Sequence, residues 1–232
     1  MRTVKASASR CVLLGDLVGS RAAADRRALH AVVEAALAEV DAVVPSLHGL
    51  RVTVGDEFQG AYGSLGAAVE AALRVRLALL PDVDTRFGLG RGEVTVLDPA
   101  RGIEDGPGWW AARAAVDRAR ELAGHAATRH ARTAYRSTPP GEADDAADGS
   151  GSALAGDPAE PAVNAALLCR DHLVGSLSDR SIRLLRGLMH PDTTQGLLAE
   201  REGISASAVS QRVRSDGIGA VLAAHDLLRR MP

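Results

Sequence analysis

The sequence predicts an α/β sandwich followed by a small all-α domain. Short apolar runs of strand length alternate with helical apolar periodicity as far as residue 136, and this alternation is typical of a sheet with helices packed on it. The next stretch is acidic, rich in Pro and Gly, and poor in large apolar side chains, and beyond it only helical periodicity follows. We therefore predict an α/β domain over 1–136, a flexible acidic linker over 137–160 and a helical domain over 161–232.

The elements of the α/β part follow from their apolar patterns. A continuous apolar run at 11–14 predicts a buried strand, and helical spacing over 21–44 predicts a first helix that Pro45 ends. Two runs at 50–54 and 58–62 flank a Gly-Asp-Glu turn and predict a hairpin. The remaining predicted elements are a helix at 65–80, strands at 86–90 and 93–97 separated at Arg91-Gly92, a helix at 109–123 and a strand at 132–136.

Composition limits the kinds of protein that this chain can be. The 232 residues are 46% hydrophobic and 24% charged, with a formal net charge of −2, which is ordinary for a globular protein. Contact with DNA would therefore need a local basic patch. The two cysteines lie in apolar runs without metal-binding spacing, which favours buried thiols in a reducing compartment. Charged residues interrupt every apolar run before it reaches membrane-spanning length, so we expect a cytoplasmic protein without a membrane segment.

Residues 193–214 carry a helix-turn-helix pattern. Thr193 or Thr194 can cap a first helix, Gly203 can form a left-handed turn, and Ser205 can cap a second helix. Polar and basic residues of the second helix would then point away from the core, as a recognition helix requires in a major groove. These candidate DNA-binding residues are Ser207, Ser210, Gln211, Arg212 and Arg214. An ordinary helical hairpin with a glycine turn is the alternative.

The pattern of this segment resembles the helix-turn-helix of sigma-factor region-four-like domains and of many bacterial regulators. A closing helix over 218–230 has an apolar face, and such a face at a chain end is where regulators often dimerise. DNA is therefore the predicted partner, and a homodimer is the predicted assembly.

Two aspartates are candidate metal ligands. Asp16 follows the first strand and Asp56 lies at the hairpin turn. A first strand beside the hairpin would bring both carboxylates to a Mg²⁺ or Mn²⁺ ion, which can hold the phosphates of a nucleotide. Glu57 is either a third ligand or a solvated turn residue. Gly19 and Ser20 can offer backbone N–H groups to phosphate. Taken singly, each aspartate is also explained as a cap or turn residue.

Four segments in this order resemble class III nucleotide cyclases: LGDLVGS at 14–20, VTVGD at 52–56, RFGLGRGEV at 86–94 and GPGWWAAR at 106–113. With the C-terminal pattern included, the whole chain looks most like the SatD family of bacterial proteins. The resemblance implies a nucleotide cyclase-like domain with a ferredoxin-like core. It also implies that Asp16 and Asp56 are metal ligands and that Arg113 faces phosphate.

Two departures from the cyclase pattern argue against turnover. Trp109 stands where cyclases have an asparagine, and Val52 stands where purine-cyclising enzymes have a lysine. Loss of one such donor costs about 3 kcal/mol of transition-state stabilisation. Trp109 and Trp110 can stack on a base, although one core anchor and one surface residue is the alternative.

We therefore expect a DNA-binding transcriptional regulator that senses a nucleotide, or a nucleotide with a metal ion, rather than an enzyme. Two other interpretations stay open. One is an active cyclase or nucleotidyl transferase whose helical tail serves assembly. The other is a DNA-binding protein that keeps the cyclase-like fold as a dimerisation scaffold.

Overall fold

The computed structural model of the chain describes residues 8–20, 25–99, 101–138 and 157–232. The predicted start of the first helix at 21–24 and most of the predicted linker lie outside the described residues. No helix in the described ranges is both long and apolar enough to cross a membrane.

The α/β part is built on a mixed sheet of six strands with three α-helices around it in the described residues. The strands are β1 (Ala8–Leu17), β2 (His48–Val52), β3 (Glu57–Tyr62), β4 (Thr85–Asp98), β5 (Ile103–Asp105) and β6 (Thr133–Ser137). The helices are α1 (Arg26–Asp41), α2 (Leu65–Leu79) and α3 (Pro107–Ala123), followed by a short 3₁₀ turn at Ala126–Thr128. The predicted α/β class is confirmed at this level.

Strand β1 lies in the middle of the sheet and is antiparallel to both β3 and β4. β2 pairs with β3 as the predicted hairpin, and Gly55 takes a positive φ of 68° in its turn. β6 runs parallel to β4, while β5 pairs with the far end of β4. The last residues of β1 therefore lie beside the first residues of β3 and β4, at one end of the strands.

Strand β4 corrects one prediction, because it continues through Arg91-Gly92 without a break. The glycines at 88, 90 and 92 alternate along the strand and face α3. A Cβ atom at Gly90 would lie 2.2 Å from the carbonyl oxygen of Gly108 and 2.3 Å from the amide nitrogen of Ala112. These glycines let the helix lie close to the sheet, and they do not form a turn.

The two faces of the sheet carry different helices. Cys11, Leu13 and Leu17 of β1 pack in the main core with α1 and α2. The alternate residues Val12 and Leu14 pack with α3. Because successive side chains of a strand point to opposite faces, α3 lies on one face of the sheet and α1 with α2 on the other.

The C-terminal part consists of helices in the described residues. They are α4 (Glu160–Gly175), α5 (Asp179–Leu188), α6 (Gln195–Glu202), α7 (Ala206–Ser215) and α8 (Ile218–Leu228). Thr194 caps α6, Ser205 caps α7, and Gly203 between them has left-handed φ and ψ of 63° and 35°. The predicted caps and turn are confirmed.

The helical part packs directly on the α/β part. Leu73 and Leu77 of α2 share an apolar cluster with residues of α5, α7 and α8, and Leu167 of α4 belongs to the main core. Arg186 also donates to the carbonyl oxygen of Ala78 at 3.2 Å. These contacts join the two parts through α2 and α4.

Candidate functional site

Asp16 stands at the end of β1, opposite Glu57 on β3 and Arg86 on β4. It is only 8% exposed. Nη1 of Arg86 lies 3.1 Å from each carboxylate oxygen, and Nη2 of Arg120 lies 2.8 Å from Oδ2. Both oxygens of Asp16 therefore accept hydrogen bonds from guanidinium groups.

Helix α3 supplies Arg120 and Arg113, which lie two helical turns apart on the same side of the helix. Arg113 binds both oxygens of Glu57, at 3.0 and 2.9 Å. The hydrogen bond to Glu57 raises the pKa of Arg113. Asp16, Glu57 and Arg113 are thus brought to one end of the sheet next to α3, whereas the predicted convergence of Asp16 with Asp56 is not found in this arrangement.

Asp56 and Ser20 lie on the α1 side. The Ser20 hydroxyl donates to the Asp56 carboxylate. These two residues line a cavity of about 30 Å³ with Leu17, Leu29 and other residues of the α1 side. That volume holds about one water molecule, so a nucleotide does not fit there without rearrangement. Asp16 and Asp56 therefore have separate sets of partners.

The region of Gly19 and Ser20 differs from the prediction, because α1 begins at Arg26. Asp25 caps this helix by accepting from the backbone N–H groups of Arg27 and Ala28, both at 2.9 Å. The donors at the start of α1 are therefore already bonded to a carboxylate. Gly19 itself lies in the turn after β1 with φ of 76°.

The two adjacent tryptophans have different surroundings. Trp109 is half-buried against Val12, Leu14 and their neighbours, and its buried indole N–H has no hydrogen-bond partner in the part of the chain that the structure describes. Trp110 is 50% exposed and donates its indole N–H to Asp105 at 3.0 Å. Of the two rings, Trp110 is the one that presents a face to solvent.

The described arrangement of carboxylates does not fit a divalent cation. Asp16 and Glu57 have both oxygens bonded to arginines, and Asp56 accepts from Ser20. Over the described ranges, no group of three or more His, Cys, Asp or Glu residues is placed to hold a metal ion. Mg²⁺ or Mn²⁺ could bind Asp16 only after a guanidinium group had moved away.

Asp16 has two partners that were not predicted from the sequence, Arg86 and Arg120. Arg86 is opposite Asp16 only because of the register between β1 and β4. Arg120 could have been found from its helical spacing to Arg113, since residues two turns apart share a face. Strand register has no comparable signal in a single sequence.

The predicted DNA-binding residues lie on α7. Ser207, Gln211 and Arg214 are exposed, while Ser210 and Arg212 are half-buried. Arg214 donates to the Ser210 hydroxyl at 3.1 Å. Arg212 lies 3.4 Å from Asp216. Val209 on the inner side of α7 is fully buried.

Comparisons with known proteins match the α/β part of the chain. A protein-family model described as the SatD family matches residues 11–134. Among solved structures, a bacterial light-regulated adenylyl cyclase has a TM-score of 0.42 and 14% identity, over 52% of this chain and 43% of that chain. This chain therefore spans less than half of the cyclase, and a similarity this weak carries no argument about activity. No curated protein matches the chain.

Proposed function

The chain belongs to the SatD family, and we propose that it is a DNA-binding transcriptional regulator whose cyclase-like α/β domain binds a nucleotide. The arrangement of α6, the Gly203 turn and α7 carries the DNA-binding half of this proposal. Two capped helices meet at a left-handed glycine, and this sequence of cap, turn and cap supports a helix-turn-helix unit. A homodimer in the cytoplasm is part of the proposal, because dimeric regulators of this kind read two half-sites.

The outer face of α7 is suited to a major groove. Gln211 can pair with the edge of an adenine, and Arg214 can pair with guanine or with phosphate. Ser207 near the start of α7 can donate to a phosphate oxygen. Arg212 and Ser210 contribute less in this arrangement, since both are half-buried. Arg214 is exposed and can exchange its hydrogen bond to Ser210 for one to DNA.

The nucleotide half of the proposal rests on the arginines of α3. Arg113 and Arg120 have half-exposed side chains, so they can exchange a carboxylate for a phosphate at small cost. Three carboxylates of the site neutralise the charges of its three arginines. The ion pairs are Asp16 with Arg86, Glu57 with Arg113, and Asp117 with Arg120. Among the described residues the site therefore has no excess positive charge for a polyphosphate. Mg²⁺ or Mn²⁺ is part of the proposal only as an ion that arrives with the nucleotide and displaces a guanidinium group from Asp16.

DNA binding can be tested with the full chain and duplexes selected from a random pool. We expect the double variant Gln211→Ala/Arg214→Ala to lose roughly 30-fold or more in affinity for the selected site, because each of the two base contacts contributes about 1–3 kcal/mol. Wild-type binding should weaken as salt rises, since phosphate contacts release counterions. The matched control is Arg118→Ala, which removes an exposed arginine from α3 and should leave affinity unchanged.

Two results would contradict the proposal. One is the absence of any selected duplex, and the other is an unchanged affinity in the double variant. Formation of a cyclic nucleotide that Asp16→Ala abolishes would instead support an active cyclase.

A further inference from the structure

A cluster of buried charges joins the two parts of the molecule. Arg76 of α2 is 1% exposed; its Nε lies 2.9 Å from Asp84, and its Nη1 lies 3.2 Å from Asp171 of α4. Arg132, just before β6, donates to the other oxygen of Asp84 at 2.7 Å. The two positive charges of Arg76 and Arg132 are thus neutralised by the two negative charges of Asp84 and Asp171.

Arg170 adds a third guanidinium group to the cluster, and the described residues supply no third carboxylate. It is 2% exposed. Its Nη2 lies 3.1 Å from the Thr133 hydroxyl and 3.6 Å from Asp171, which Arg76 already shares. Its Nε and Nη1 have no hydrogen-bond partner within the described ranges. Burial lowers the pKa of Arg170. A buried charge of this kind needs a counter-ion or full hydrogen bonding.

His225 of α8 is a second buried group without partners in the described part of the chain. It is 5% exposed, and neither ring nitrogen is hydrogen-bonded. Burial, together with the nearby charge of Arg170, lowers the pKa of His225 to about 4. The imidazole is therefore neutral at physiological pH and keeps one N–H donor. Helices α4 and α8 pack against each other, and the charge of Arg170 on α4 is close enough to act on His225 of α8.

His225 also borders a groove that opens to solvent. The groove has a volume of about 860 Å³, and it lies between the ends of α1 and α5 and the adjoining faces of α2 and α8. Arg74 and Arg229 contribute to its walls, and each is paired there with a carboxylate that also lines the groove, Glu70 and Asp226. A groove of this size accepts a small organic molecule, while the excess positive charge lies with Arg170.

We propose that the contact between α4 and α8 binds a small oxyanion, whose phosphate or carboxylate oxygens accept hydrogen bonds from Arg170 and His225. The rest of such a molecule would occupy the groove beside His225. The anion would balance the excess positive charge that Arg170 brings to the cluster, and it would accept hydrogen bonds from the unused donors of both side chains. Binding there would stabilise the packing of α8 on α4, and this site is separate from the one at Asp16.

The test uses thermal unfolding of the full chain at neutral pH and constant ionic strength. Sodium phosphate, sodium acetate and sodium chloride are compared as the probes. We expect phosphate or acetate at tenfold excess over its Kd to raise Tm by roughly 3–6 °C relative to chloride. The more effective of these two anions identifies the group that the site prefers.

Variants separate a specific site from a general salt effect. Arg170→Met removes the excess charge of the cluster and should lose the Tm shift. His225→Leu should reduce the shift, and it serves as the second test if Arg170→Met does not fold. The matched control is Arg183→Met, which removes a half-exposed arginine bonded to Glu202 and should keep the full shift.

The proposal is overturned if wild-type Tm is the same in all three salts. This result is expected if ordered water, and not an anion, accepts the hydrogen bonds of Arg170 and His225. It is also overturned if chloride is the most stabilising salt, or if Arg170→Met or His225→Leu keeps the full shift.

Discussion

Asp16 is bonded to arginines from two different elements, Arg86 on β4 and Arg120 on α3. The sequence predicts the position of Asp16 at a strand end, because an apolar run stops there. It does not predict the pairing with Arg86, which depends on strand register. Helical spacing places Arg120 on the same face as Arg113, but it does not show that this face meets Asp16. The carboxylate can therefore be located from the sequence, but its charge balance cannot.

At the residue scale, Arg120 should compete with a metal ion for Asp16. We expect Arg120→Ala to bind Mn²⁺ about two- to fivefold more tightly than wild type, because a partly exposed ion pair contributes about 0.3–1 kcal/mol. Asp16→Asn should bind no Mn²⁺ at this position. Electron paramagnetic resonance measures free Mn²⁺ directly, and thermal shifts with Mn²⁺ and a nucleoside triphosphate give a second readout.

The control for this experiment is Arg118→Ala, which removes another exposed arginine of α3 that is bonded to Glu121. It should bind Mn²⁺ like wild type. If neither wild type nor Arg120→Ala binds Mn²⁺, the cation drops out of the proposed nucleotide site. If Asp16→Asn binds Mn²⁺ as wild type does, the ion lies elsewhere.

At the scale of elements, most helices and strands could be predicted, because apolar period and capping residues are local signals. Ser64, Thr194 and Ser205 all cap the helices that follow them. Strand β4 was predicted as two strands, because glycine in a strand pattern resembles a turn. The alternating glycines instead meet the backbone of α3, which is more than ten residues further along the chain.

The glycines of β4 lead to a stability prediction. Gly90→Ala should lower the free energy of unfolding by about 3 kcal/mol, because the new Cβ would overlap the backbone of α3, where Gly108 oxygen lies 2.2 Å away. Denaturant unfolding measures this change. Gly63→Ala is the matched control: no atom lies within 4 Å of its added Cβ, and the change should stay within about 0.5 kcal/mol. Equal stability of the two variants would show that α3 can move away from β4.

At the scale of the whole molecule, the sequence predicts two domains joined by a linker, and local patterns do not show how such domains pack. In the described residues the second apolar core includes Leu73 and Leu77 of α2. The charges at Arg76 and Asp171 meet across the same junction, although they are far apart in the chain. Local patterns carry no information on such contacts, so only the three-dimensional structure locates the junction.

Helix α2 of the α/β part contributes Leu73 and Leu77 to the apolar cluster of the helical part. We therefore expect the two parts to unfold together. Leu77→Ala should cost about 2–4 kcal/mol of stability, because Leu77 is 1% exposed and its removal leaves a cavity. Hydrogen exchange should then show faster opening of amides in α5 and α7 as well as in α2, since the leucine packs between both parts. Leu97→Ala is the control, because Leu97 on β4 is 59% exposed and its truncation should change exchange little. Faster exchange confined to α2 and the sheet would mean that the helical part is held independently, and the junction would then be unable to transmit ligand binding to α7.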